Sequence, residues 1–244
     1  MGCGSSKDAS LRNATWSGDV EKVKQLLTAG GVDIESRGVN DCTALHRAAM
    51  GGHLSIVKVL VEQGKADVNA RSLQGLTPLH FAASTGHANR VLEFTMYYDG
   101  KQLSFDAAAH VTRCHEIVKY LIENGADVNA ESTSQHWTIK DESAGLTPLH
   151  FNCLTGHNPD TTRFLIQAGA NVNAVTAHGD TPLHFVLTWN PENPVEIGRA
   201  LLQASDNVDM HIKNKKGLTA EAMARKKGKA RATICDKVLP EQHQ

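Results

Sequence analysis

The chain has 244 residues, 41% of them hydrophobic and 21% charged, and a formal net charge of −1. That balance argues against wholesale disorder, and it leaves no global field to steer the chain onto nucleic acid or an anionic surface, so any electrostatic role must be local. Five widely spaced cysteines without a C-x-x-C pair argue against a disulfide frame or a zinc cluster.

The first residues, Met1-Gly2-Cys3-Gly4-Ser5-Ser6-Lys7, fit M-G-x-x-x-[ST], the pattern for myristoylation at Gly2. One myristoyl chain binds membranes only marginally, on the order of 10⁴ M⁻¹, and durable anchoring needs a second signal. Cys3 supplies it as a palmitoylation candidate. Residues 1–10 are therefore expected to be a flexible acylated anchor, similar to the doubly acylated termini of signalling proteins and of some protozoan flagellar-membrane proteins. With no run of 18 apolar residues and no apolar leader, the expected location is the cytoplasmic face of a membrane, plasma or flagellar membrane being candidates, with a cytosolic pool.

Beyond the anchor, the chain repeats itself. Residues 14–36 hold one helical pattern, and then the strings TALH (43–46) and TPLH (77–80, 147–150, 181–184) recur, with Thr-to-Thr spacings of 34, 70 and 34. Thr can cap a helix, and Pro beside it sits where a missing N–H is harmless. An alanine pair such as Ala48-Ala49 allows close helix approach. A second helix reads like Ile56-Val57-Lys58-Val59-Leu60, Gly64, Gly125 and Gly169 end it through positive φ, and D-V-N-A leads into a turn near Gly75, Gly145 or Gly179. Helices this short are marginal alone, so the units must stack.

A period near 33 residues with T-P-L-H resembles the ankyrin repeat, and the resemblance spans 11–238. It implies an all-α solenoid of stacked helix-turn-helix units with short β-hairpin loops, about seven units counting atypical caps at 14–36 and 217–238, and a flexible tail at 239–244. The gap of 70 is read as an additional unit beginning near Phe105–Ala109. The alternative is one repeat with a long insertion at 88–113. Segments 88–114 and 131–144 are irregular on both readings.

Eight of the thirteen histidines fall on repeat frame positions, among them His46, His80, His150 and His184. They are expected to be structural, with no metal and no cofactor. Cys153 should be buried, and Cys42, in a hairpin, exposed. No catalytic motif occurs, so an enzyme is not expected. An enzyme of unrecognised type using the irregular segments is the third reading, after an adaptor or scaffold that binds proteins and a regulatory subunit that blocks a partner enzyme.

The ankyrin resemblance implies that partners meet the hairpin tips and the exposed side of the first helices. Carried over by position, this gives Asn40, Gln74, Ser143 and His178 at hairpins, and Met50, Leu154 and Trp189 after the apolar pair. Trp137 and Ile139 stand in the stretched 131–144 hairpin as further recognition candidates. For Trp189 the competing expectation is packing on Asn190–Pro194. The expected partner is an unidentified protein, met by a monomer, with the membrane reached through lipids and no nucleic acid bound. Residues 213–231 carry eight basic residues against Glu221; they read first as a solvated helix end, and second as a patch for an acidic partner or lipid.

Overall fold

The computed structural model describes residues 6–84, 107–133, 144–155, 158–189 and 193–239. Among them are twelve α-helices and no strand: α1 (Ser6–Ser17), α2 (Val20–Ala29), α3 (Ala44–Met50), α4 (Leu54–Glu62), α5 (Pro78–Ala83), α6 (Ala107–Glu123), α7 (Pro148–Thr155), α8 (Pro159–Gln167), α9 (Pro182–Thr188), α10 (Pro194–Ala204), α11 (Ala220–Lys226) and α12 (Lys229–Val238). None of these helices is long and apolar enough to cross a membrane.

The helices fall into two compact units, Met1–Ala82 with His87–Asp127, and Ala83–Gly86 with Val128–Gln244. In the first, α1 packs on α3, and α2 on α4, which meets α6. In the second, α7, α9 and α11 line up as successive first helices, and α8, α10 and α12 as successive second helices. Leu45, Leu79, Leu149 and Leu183, two residues after each frame Thr, are buried, as are the alanine pairs 48–49 and 82–83. Small side chains there let neighbouring helices close on each other, and burial between units supplies what such short helices lack alone.

Successive helix pairs are joined by turns, and the turns are laddered. In the first unit, Nδ2 of Asn69 donates to the Gly125 carbonyl at 2.9 Å, and the Asp127 N–H donates back to Asn69 Oδ1 at 2.8 Å. In the second, Asn129 bridges in the same way to Gly169 and Asn171 at 3.0 and 2.7 Å, and Asn173 to Asn207 and Asp209 at 2.7 and 2.9 Å. Every such asparagine reaches the turn one repeat later, so the turns at 66–70 and 126–130 belong to consecutive repeats. The Tyr120 hydroxyl, donating to Glu62 at 3.0 Å, likewise sets α6 beside α4. That neighbouring agrees with the alternative reading of the 70-residue gap, one repeat with an insertion; residues 88–106, with the expected unit start at Phe105 and Asp106, lie outside the described residues. Six helix pairs lie among the described residues.

One correction concerns the anchor. Ser6–Ser10 lie in α1, because Leu11 and Ala14 are buried and the Asp8 carboxylate accepts the Asp33 N–H at 2.9 Å. Gly2 and Cys3 precede this helix and lie outside the described residues.

A second concerns the helix ends. Gly125 (φ 88°) and Gly169 (φ 92°) close their helices with positive φ as expected, but after α4 the left-handed residue is Lys65 (φ 55°) rather than Gly64. The string there is one residue longer. Gly64 is needed for space instead, since a Cβ would come within 2.7 Å of the Leu60 carbonyl oxygen.

Candidate protein-binding surface

The described histidines of the T-x-L-H strings are engaged within the stack. In His46, Nδ1 accepts the Thr43 N–H at 3.1 Å and meets the Thr43 hydroxyl at 2.9 Å, so the ring proton sits on Nε2, which donates to the Leu76 carbonyl at 3.0 Å. His150 links Thr147 to the Asp180 carbonyl, and His184 links Thr181 to the Leu218 carbonyl, in the same manner. Each ring caps its own helix and ties it to the next loop. Burial drives the pKa of His46 and His150 down to about 4, with the carbonyl bonds pulling the other way. His53 is lowered too, chiefly by burial, while its Nε2 meets the Trp16 carbonyl at 3.0 Å. Among the described residues no group of three His, Cys, Asp or Glu is placed to hold a metal.

The loop tips form their own ladder. The Leu73 N–H donates to the Asn40 carbonyl at 2.9 Å, Ala177 to Ala144 at 2.8 Å, and Lys215 to His178 at 2.7 Å. Asn40 and His178 are thus half-buried tip residues whose backbones join successive repeats. Nε2 of His178 is enclosed without a hydrogen-bond partner.

Three expected exposures are not found. Gln74 is only 5% exposed, with Oε1 accepting from the Ser72 hydroxyl at 3.4 Å. Met50 is also only 5% exposed, because the last turn of the first helix still packs inside the stack; Ser84 and Thr188, at the same frame position, are buried as well, and Leu154 is half-buried. Cys42 is 1% exposed. It precedes Thr43 as Leu76 precedes Thr77 and Leu146 precedes Thr147, so it fills a position that other repeats give to buried leucine. Burial pushes its thiol up to about 12 against the pull of Arg47, which leaves it unreactive. Cys153 is buried, as expected. Trp137, Ile139 and Ser143 lie outside the described residues.

Trp189 keeps its exposure, 47%, as the C-cap of α9. One face of its indole is covered by Lys227, whose Nζ stands 2.9 Å from the ring centroid. The competing contact with Asn190–Glu192 falls outside the described residues. Two further large apolar side chains are exposed among the described residues, Val39 at 42% and Val175 at 49%. Both lie in loops between repeats, and the sequence reading missed both. Lys227 was missed as Trp189's neighbour although the frame marks it: it follows Thr219 by the same eight residues that separate Trp189 from Thr181.

A family model described as ankyrin repeats (3 copies) matches residues 11–98 and 105–214. Rabankyrin-5 of Mus musculus is 34% identical over 119 residues, which is 47% of this chain and 10% of the relative. Protein phosphatase 1 regulatory subunit 27 of Homo sapiens is 39% identical over 71 residues, 29% of this chain and 39% of the relative. The RelA-associated inhibitor of Mus musculus is 50% identical over 46 residues, 19% of this chain and 6% of the relative. The chain thus spans two-fifths or less of the length of these curated relatives. With that match over most of its length, on top of the Thr–His caps and laddered turns, the chain belongs to the ankyrin-repeat family.

Proposed function

We propose that this protein is a membrane-held adaptor, which binds a partner protein through the loop tips and first-helix ends of its ankyrin repeats and catalyses nothing. The carrying observation is where large apolar side chains are exposed: Val39 and Val175 in the loops and Trp189 at the end of α9. The folding of a repeat does not require apolar groups there, and exposed aromatic residues are frequent anchors of binding energy. Membrane attachment rests on the Met1-Gly2-Cys3 string and its two adjacent acylation candidates. A regulatory or inhibitory role is the second reading, favoured by the names of two relatives, a phosphatase 1 regulatory subunit and the RelA-associated inhibitor.

The test is capture of partners from solubilised membranes by the full acylated chain, followed by activity assays on what is captured. An adaptor leaves those activities unchanged, whereas an inhibitor abolishes them. Capture that is equal for wild type and a Val39→Asp/Val175→Asp/Trp189→Ala variant would refute the assigned surface.

A further inference from the structure

The end of the second unit gathers positive charge around its exposed tryptophan. Lys227 lies over the indole of Trp189, and the charges of Arg231 and Lys216 bear on it; together with burial, the largest cause, they hold its pKa below the usual lysine value. Lys215 and Lys216 form the adjoining loop tip, tied by backbone to His178. Of the nearby acids, Asp180 accepts a hydrogen bond from Asn214 at 2.7 Å, and Glu221 and Asp236 are both engaged by Arg225, at 2.8 and 2.7 Å. Among the described residues, no carboxylate lies within ion-pair distance of Lys215, Lys216 or Lys227. Asp180 offsets only part of the repulsion that Lys216 and Arg231 exert on Lys227, and an anion placed beside Lys215, Lys216 and Lys227 would relieve more of it.

We propose that the surface from the 215–216 loop tip to Lys227, with Trp189 on it, seats an acidic segment of a partner protein, a stretch of Glu or Asp carrying one apolar side chain. The inference rests on the adaptor reading and supplies its partner chemistry. Carboxylates meet Lys215, Lys216 and Lys227, and the apolar side chain meets the part of the indole that Lys227 leaves open. A lipid surface fits less well: peripheral membrane faces bury several apolar groups together, whereas the described part of this unit exposes Val175 and Trp189 alone among its large apolar residues.

The test uses the full chain and a short fluorescein-labelled glutamate-rich peptide containing one leucine, read by anisotropy. The expected result is saturable binding that weakens with added salt, that falls about tenfold in Lys216→Glu/Lys227→Glu, and that survives in Lys216→Arg/Lys227→Arg. A control pair of exposed lysines in the first unit, Lys22→Glu/Lys58→Glu, should shift it by less than about twofold. Thermal unfolding of each variant establishes that it is folded. Equal weakening by the control pair, equal binding of the peptide with Gln in place of Glu, or tighter binding to phosphatidylserine vesicles that depends on the same two lysines would overturn the proposal. A membrane partner that is captured equally well after the Lys216/Lys227 reversal would sink the acidic-segment inference while leaving the adaptor reading intact; failure to capture any partner would sink the adaptor reading itself.

Discussion

The Nε2 atom of His46 donates to the carbonyl of Leu76, thirty residues further on, while Nδ1 of the same ring holds Thr43. Only the neutral ring can do both, since protonation of Nδ1 removes the acceptor that the Thr43 N–H needs.

Stability should therefore fall on mild acidification. The folded-state pKa of His46 and His150, about 4, lies below the unfolded value of 6.5. The unfolded chain binds protons that the folded chain refuses, so the contribution is complete above about pH 6.5 and is lost as pH falls from there through about 4. The loss should be on the order of 1–3 kcal/mol per histidine. Denaturant unfolding at pH 7.5 and 5.0 measures it, and a flat profile would contradict the neutral cap.

Leu79→Ala or Leu149→Ala should each destabilise the fold by about 2–5 kcal/mol, the usual result of truncating a leucine in a packed core. Both side chains are fully buried. A loss below about 1 kcal/mol in denaturant unfolding, within the range of surface substitutions, would mean the frame has been placed wrongly.

Asp41→Gly should stabilise the protein by about 0.5–1 kcal/mol. Asn40 and Asp41 both have positive φ, 56° and 55°, and the Cys42 N–H closes the turn onto the Val39 carbonyl at 3.2 Å. This is the geometry in which Asn-Gly is the preferred pair. Gly75, Gly145, Gly179 and Gly217 hold the same frame position at 70–79°. A lowered melting temperature in the variant would contradict the strain assigned to Asp41.

Gly2→Ala should move the protein from the membrane to the cytosolic fraction, and Cys3→Ser should leave weak, reversible association, because a single lipid gives only marginal binding. Metabolic labelling with a myristate analogue reads the first lipid directly. Unchanged membrane partitioning of the Gly2→Ala protein would rule out the anchor.

The fold was legible because the central units share local signals in varying completeness: Thr, mostly with Pro, at a helix start, a Leu two residues on, an alanine pair in two of them, then D-V-N-A or N-V-N-A. Where the reading fell short, a local resemblance had been set against a longer-range bond. Phe105–Ala109 looked like a helix start, but nothing local signals that Asn69 joins the turn at 66–70 to Gly125 in the turn at 126–130. Ser6–Ser10 looked like an anchor because nothing local signals that Asp8 holds the Asp33 amide. The surface was half legible. Trp189 stood out by its size, whereas Met50 and Gln74 sat at frame positions whose burial depends on the next repeat. The pairing of Trp189 with Lys227 was open to anyone counting eight residues from Thr181 and Thr219, but the lysine was absorbed into a basic run read as a solvated helix end.

The central claim is that partners meet the loops and first-helix ends, and photo-crosslinking from single positions tests it most directly. A crosslinker placed at Val39 in the first unit, or at Val175 or Trp189 in the second, should yield partner adducts in the full chain, and one placed at the exposed second-helix positions Lys58, Glu116 or Asp160 should not. Adducts from the second-helix positions alone, or none from Val39, Val175 and Trp189, would contradict the account.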